Sequence, residues 1–386
     1  MSAPVEQLRS AAVYRRGFLP RSETFVRDHL LNLRRYSPTA ITTYLQSDGL
    51  PVAGVPLVVA QDRRWSSRLR RRLPGRFHPE QFGSEESGLE VALEQIAPDV
   101  LHAHFGTDGA VAVGATRRSG LPTVITFHGF DATKYPEVLR RSPVGALLLD
   151  RWSEVVSGRA QIIAVSGFIR DELVRRGADA SAVHVVPCGV DPDTFTWSEP
   201  NPAGNVLFVG RLVEKKGCAD LIEALAAHPG LPPLDVVGDG PLRSDLETLA
   251  RTRGVDVTFH GMQDSVAVRR MMAASSVVAM PSRRAGDGDT EGLPVSSLEA
   301  GASGRPVVGY AHSGIVDSVI SGTTGDLVAE GDVAGLGRAL IALLGDPQRL
   351  ASYSSAARAH IEANFDIRRT TARIEDVYDE ARTRGG

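Results

Sequence analysis

Short apolar runs, separated by longer stretches of helical periodicity, organise this chain. Runs of four to seven residues stand near 11–16, 41–46, 55–60, 100–106, 123–129, 162–166 and 183–187. They recur near 206–211, 234–238, 256–260, 277–281, 306–310 and 325–328. Runs of this kind suit strands covered on both faces, and the helical stretches suit crossovers, so the pattern predicts βα units and parallel sheets. Two sets of six or seven strands predict an α/β chain of two doubly wound domains. Between the sets lies the polar stretch Asp191–Gly204, whose four Pro or Gly residues mark a linker. The expected domains are 1–198 and 199–365, with helices at 347–363 and from 366 onward.

Composition narrows the class. The length of 386 residues suits two domains, and 42% hydrophobic with 23% charged residues is ordinary for a globular chain. Residues 1–198 carry 24 basic and 21 acidic side chains and residues 199–386 carry 19 and 25, so +3 and −6 give the net −3. That balance is too weak to predict a nucleic-acid partner. Cys188 and Cys218 have no zinc-type spacing, which suits a reduced cytoplasmic protein. No leader-like apolar segment opens the chain, and no apolar run reaches the roughly 18 residues of a membrane span.

Ligands of doubly wound sheets bind beyond the carboxyl ends of the strands, so the informative residues follow each apolar run. After 277–281 comes Glu291-Gly-Leu-Pro-Val-Ser-Ser-Leu-Glu299, opening a helix expected to run through Ala302 with Pro294 in its first turn. Gly292 permits close backbone approach, and the free N–H groups from Gly292 through Leu293 and Val295 suit an anion such as a diphosphate. Glu299 lies about 12 Å beyond Glu291 if the span is helical, at roughly 1.5 Å per residue. Two carboxylates so placed suit a molecule with hydroxyls at both ends. They equally suit the solvated face of an amphipathic helix.

Arg211 and Lys216, five residues apart, flank a strand end and a helix start. Two cations there oppose the helix dipole unless an anion binds, whereas Lys215 reads as solvent-facing. Val237-Gly238-Asp-Gly240 has neither P-loop nor dinucleotide-fingerprint spacing. Asp287, Asp289, Glu291 and Gly292 match four positions of a calcium loop, but Leu298 stands where its final Glu belongs. In the first half, His104 and His128 stand where strands run out, with Asp131 close behind, and His102 reads as core. Ser22-Glu23-Thr24 and Ser166 can each start a helix. Residues 63–76 hold seven Arg and no acid, with Trp65, Leu69 and Leu73 on one helical face. That segment suits anionic lipid, a phosphorylated acceptor, or simple docking on the sheet.

These motifs, in this order over about residues 11–365, resemble the retaining glycosyltransferases of family 4 (group 1). Phe18-Leu-Pro-Arg-Ser22-Glu23-Thr-Phe resembles their exopolysaccharide and colanic-acid-type members. The resemblance implies the GT-B fold, two Rossmann-like domains facing a cleft, with the last helix crossing back to the first. It implies that Arg211 and Lys216 neutralise a nucleotide-diphosphate leaving group without an essential metal or other cofactor. Glu299 would hold the ribose, and Glu291 the sugar or acceptor side. Gly238, Gly240, Ser166 and the main chain at Met262 would line the donor. His128 would lie beside the transferred sugar, with Glu23, His104 and Asp131 toward the acceptor. The implied activity moves a sugar from a nucleotide-diphosphate sugar to a saccharide, lipid-linked or small-metabolite hydroxyl. The alternatives are a nucleotide-sugar epimerase of the same fold or a non-catalytic nucleotide-sugar or polysaccharide binder. A peripheral membrane contact would run through 63–76.

Overall fold

The computed structural model describes residues 8–20, 23–47, 49–60 and 80–384. The basic segment 63–76 and Ser22 lie outside the described residues.

The first half contains strands β1 (Arg9–Tyr14), β2 (Gly17–Phe18), β3 (Tyr36–Thr42), β4 (Tyr44–Leu45), β5 (Leu57–Val59), β6 (Val100–His104), β7 (Thr123–Phe127), β8 (Gln161–Ala164) and β9 (Val183–Val185). Apart from the small β2–β4 pair they form one parallel sheet, ordered β5-β3-β1-β6-β7-β8-β9. The second half contains β10 (Val206–Val209), β11 (Leu234–Val237), β12 (Val257–Gly261), β13 (Val277–Met280), β14 (Val307–Tyr310) and β15 (Gly325–Val328). These form a second parallel sheet, ordered β12-β11-β10-β13-β14-β15. Both orders are doubly wound and α/β, as the apolar runs predict. Strand direction of winding reverses beside β1 in the first sheet and beside β10 in the second, which makes β1/β6 and β10/β13 the switch points.

Burial explains the near-continuous apolar runs. Ala11 and Val13 of β1 enter one core with Val100, Val124 and Tyr378, whereas Ala12 and Tyr14 enter the core on the opposite face. A strand covered on both faces has no polar side to alternate toward.

One strand escapes the pattern. The apolar run near 41–46 misses the start of β3, which begins at Tyr36 and runs through Ser37-Pro38. Pro38 pairs with Ala11 on β1, while β5 joins only from Ala40 onward, so the missing N–H falls where β3 has no second neighbour.

The chain divides into two compact units: Met1–Val165, Ile169–Val186 and Ile367–Gly386 form one, and Ser166–Phe168 with Pro187–Asp366 form the other. The boundary therefore falls after Val186 and not at 198. The expected linker is held by its own unit: Val190 N–H donates to Phe365 O, Trp197 Nε1 to Ser354 Oγ, and Arg358 Nη1 to the Pro192 and Phe195 carbonyls. The helix Ile367–Arg384 belongs to the first unit, where Val377, Tyr378 and Ala381 are buried.

Candidate active site

The second unit builds its site at the β10/β13 switch point. Arg211 follows β10 and is exposed, and no side chain among the described residues takes its guanidinium. The turn Glu214–Lys216 then brings Lys215 and Lys216 to the same edge. It ends at Gly217, whose φ of 66° and whose approach to Pro281 O, 1.9 Å from any added Cβ, exclude a side chain. Gly238 likewise has φ of 128° with its Cβ position 2.0 Å from Gly210 O, so the loops after β10 and β11 touch backbone to backbone.

Lys216 Nζ lies 3.2 Å from Glu291 Oε1, and Lys215 Nζ lies 3.8 Å from the same oxygen. The oxygen is buried and gains these contacts as ion pairs without hydrogen-bond geometry. Burial alone would push the Glu291 carboxyl up, but Lys216 and Lys215 together hold it below its ordinary range. Lys215 corrects its sequence reading. It is not solvent-facing: its ammonium donates to Asp289 Oδ1 at 3.0 Å and faces Thr290 O at 3.4 Å, anchoring the Gly-Asp-rich loop. Asp287 Oδ1 accepts from Asp289 N–H. The acids of the calcium-like spacing thus serve the loop and its lysine.

The helix after this loop runs Val295–Ala302, with Pro294 as N-cap and not within the first turn. Glu291 precedes the helix, so the helical 12 Å span to Glu299 does not apply. Gly292, Leu293 and Pro294 are buried, while Val295 and Glu299 are partly exposed. Beside them Thr290 Oγ1 meets His312 Nε2, and His312 Nδ1 lies 2.7 Å from Glu330 Oε2. Burial outweighs Glu330 and keeps the His312 pKa low. Asp317 finds a definite partner, accepting from Gly167 N–H at 2.9 Å, which holds the segment after buried Ser166 in this unit. Gly240 packs on Leu212 backbone, and Met262 is exposed beyond β12.

In the first unit the β1/β6 switch point is filled by charged side chains. Arg15 donates to both Glu23 oxygens at 2.7 and 2.8 Å and to Asp108 Oδ2 at 2.7 Å. Glu23 occupies the N-cap of helix Thr24–Asn32 without capping it, because Arg15 takes its carboxylate. The Arg15 guanidinium also lies 4.5 Å over the Phe105 ring. Phe105 has φ of 72°, a conformation costing about 1–3 kcal/mol for a residue with a side chain. Its ring stands 4.6 Å from His128, which Phe25 flanks from 4.6 Å. Asp131 is fully buried and braces the loop: Gly106, Gly129 and His128 N–H donate to it at 2.7, 2.9 and 3.1 Å. His102 is core, as expected, and His104 is buried beside it.

The family description "Glycosyltransferase Family 4" matches residues 39–194, and "Glycosyl transferases group 1" matches 193–360. The D-inositol 3-phosphate glycosyltransferase of Xylanimonas cellulosilytica is 31% identical over 312 residues, covering 74% of this chain and 73% of that one. The chain belongs to the family 4 glycosyltransferases. The amylovoran biosynthesis glycosyltransferase AmsK of Erwinia amylovora is 28% identical over 306 residues, covering 75% and 74%. In structure, HepE of Anabaena, crystallised with UDP-glucose, superposes with a TM-score of 0.76 at 20% identity, covering 96% of this glycosyltransferase and 99% of HepE. The GT-B architecture of two Rossmann-like units follows. Among the described residues no helix is long and apolar enough to cross a membrane.

Several residues that the structure brings together at these strand ends carry no signal in sequence. Arg15 and Asp108 are 93 residues apart and only the β1/β6 pairing brings their loops together. Thr290 and His312 meet only because their loops converge beyond β13 and β14.

Proposed function

We propose that this enzyme is a retaining transferase that binds a nucleotide-diphosphate sugar on its second unit and passes the sugar to a hydroxyl of a saccharide acceptor. The observation that carries this reading is the unneutralised cation at the β10/β13 switch point. Lys215 and Lys216 are paired with Asp289 and Glu291, and the exposed Arg211, which no described side chain takes, is left for an anion. Arg can hold phosphate oxygens in pairs, and Lys216 adds a point charge. As the bond between C1 and the phosphate oxygen breaks, these cations stabilise charge growing on the diphosphate, with no essential metal. The leaving phosphate oxygen takes the proton of the acceptor hydroxyl while the acceptor oxygen bonds C1 on the same face. Glu299 holds the ribose, the amides of Gly292–Val295 meet phosphate or sugar hydroxyls, and His128 contacts the transferred sugar.

HepE's crystals make a UDP-sugar the first donor to try, and AmsK's role makes a saccharide the first acceptor. A cytoplasmic site of action with peripheral membrane contact through 63–76 completes the reading, and flotation with anionic vesicles tests that contact. The central test is calorimetry with UDP, GDP, ADP and TDP on wild type, Arg211→Ala and Glu299→Ala. One diphosphate should bind wild type and be weakened by both substitutions. A folded protein that binds none of them refutes the donor site, and an isolated covalent glycosyl-enzyme refutes same-face transfer.

A further inference from the structure

Four histidines of the first unit reach one another from separate elements: His29 from helix Thr24–Asn32, His102 and His104 from β6, and His128 from beyond β7. Tyr378 joins them from helix Ile367–Arg384. Starting at β7, Thr126 Oγ1 lies 2.7 Å from His102 Nε2, and His102 Nδ1 lies 2.7 Å from the Tyr378 hydroxyl. That hydroxyl lies 3.1 Å from His29 Nε2, and His29 Nδ1 lies 3.1 Å from His104 Nε2. His104 Nδ1 lies 3.0 Å from His128 Nε2. Every ring is entered at Nε2 and left at Nδ1, so the chain runs head to tail and ends at His128 Nδ1.

A neutral imidazole has one N–H and one lone pair, and each contact holds one proton. With the Tyr378 hydroxyl spending its own proton in the chain, only two proton arrangements satisfy all five contacts: Nδ1–H on every ring, or Nε2–H on every ring. A hydroxyl that accepted from both His102 and His29 would leave its own buried O–H unpaired. We propose that Tyr378 and Thr126 are positioning residues which, through this chain, tie the tautomer of His128 to those of His102, His29 and His104. Burial keeps all four rings neutral, with His29 and His128 brought down to about 3. His102 and His104 are lowered well below the ordinary value, by burial first. Arg15 adds its positive charge against protonation of His104 and His128, and the Tyr378 hydroxyl is held well above its ordinary pKa by burial.

The consequence concerns the open nitrogen. With Nε2–H throughout, His128 Nδ1 accepts from a sugar hydroxyl; with Nδ1–H throughout, it donates to a sugar oxygen. This consequence rests on the proposed contact between His128 and the transferred sugar. Nitrogens of His29, His102 and His104 lie within 4.8 Å of one another, close enough for a shared metal ion. Their nitrogens are already engaged in the chain, and a metal would have to break it.

Long-range ¹H–¹⁵N correlation on ¹⁵N-histidine-labelled full-length protein reads each tautomer directly. Wild type should show one tautomer shared by all four rings. In Tyr378→Phe the link at the hydroxyl is lost, and an unpaired buried N–H costs more than an unpaired lone pair. His102 should then turn Nε2–H toward Thr126 while His29, His104 and His128 become Nδ1–H, splitting the set whichever arrangement wild type has. If that variant does not fold, Thr126→Val should place all four rings in the Nδ1–H form, and Thr126→Ser should match wild type. Mixed tautomers in wild type, agreement among the four in Tyr378→Phe, or a stoichiometric metal bound to these rings would overturn the coupling. If wild type carries Nε2–H, the change of tautomer at His128 in Tyr378→Phe should also lower kcat about tenfold with donor KM unchanged; if wild type carries Nδ1–H, His128 is unaltered and kcat should stay near wild type. The expected spectra with a kcat that stays unaltered although the tautomer of His128 has changed would leave the coupling standing and refute the sugar-side reading of His128.

Discussion

Lys216 Nζ stands 3.2 Å from the buried Oε1 of Glu291, joining the loop after β10 to the loop before helix Val295–Ala302. The pair spans the β10/β13 switch point, so a donor bound there meets both loops in one fixed arrangement. Neither residue is a free-standing charge. Lys216 keeps 15% and Glu291 9% of side-chain exposure, and the lysine would be left close to uncompensated without its acid.

Glu291→Gln removes the negative member of this buried pair. Truncating one partner of such a pair costs about 3–5 kcal/mol, and the residual exposure of Lys216 points to the lower end. The loss should be seen in urea unfolding of the second unit. Because the folded carboxyl has a depressed pKa, its contribution is present above the ordinary carboxylate value and is lost as pH falls through the folded one. Wild type and Glu291→Gln should therefore differ in stability at pH 7 and converge in strong acid. A difference that persists unchanged into acid would show that the ion pair is not its source.

Arg211→Ala should separate binding from stability. The side chain is exposed and holds no partner among the described residues, so the melting transition should stay within about 0.5 kcal/mol of wild type. Hydrogen bonds to charged groups contribute about 1.5–3 kcal/mol, so the affinity for the preferred nucleoside diphosphate should fall roughly ten- to hundredfold. Calorimetry and a thermal melt on the same sample decide it. Affinity within twofold of wild type would remove Arg211 from the donor site.

What the sequence makes legible follows from how each residue is held. The strands of both sheets show because two-sided burial leaves runs such as Val277–Met280 without polar positions. Arg211 and Lys216 show because the loop after β10 is local in sequence. β3 hides its start because Pro38 is tolerated only by the position of β5, which no local pattern reveals. Lys215 reads as solvent-facing from its local sequence because its partner Asp289 lies 74 residues away. Tyr378 reads as one apolar position of an amphipathic helix. Its link to His102, 276 residues away, exists only once that helix returns to the first unit.

Arg305 should prove among the most sensitive residues for folding. It is fully buried, and burial lowers its pKa to about 10, so it remains charged at neutral pH. Its Nε donates to Met272 O at 2.8 Å and Nη2 to Ala273 O at 3.1 Å, while Nη2 also reaches Ser198 Oγ. The guanidinium thereby occupies Met272 O and Ala273 O at the end of helix Ser265–Ala274, sharing the first with Ser275. Arg305→Lys keeps the charge but not the planar fork, and should cost about 2–3 kcal/mol in chemical denaturation. Arg305→Ala should cost more, since it adds a cavity. Equal stabilities for lysine and arginine would show that charge alone suffices.

Asp131 makes the first unit's stability depend on pH in the opposite sense from Glu291. Burial raises its carboxyl to about 6, against backbone N–H donors from Gly106, Gly129 and His128 that favour the charged form. A folded pKa above the unfolded 3.8 means the folded state holds the proton more tightly. The resulting stability is complete below about 3.8 and disappears as pH rises through about 6. Linkage limits its size to about 3 kcal/mol, at about 1.4 kcal/mol per pKa unit. Asp131→Asn removes the titration while keeping the shape. The asparagine must also face N–H groups with an amide nitrogen or leave one unaccepted, a further penalty of about 1–3 kcal/mol at every pH. The stability of wild type relative to Asp131→Asn should therefore be greatest near pH 4 and shrink steadily toward pH 7. Urea unfolding from pH 4 to 8 measures the trend, and a difference that grows with pH would place the carboxyl among those stabilised by their hydrogen bonds more than they are penalised by burial.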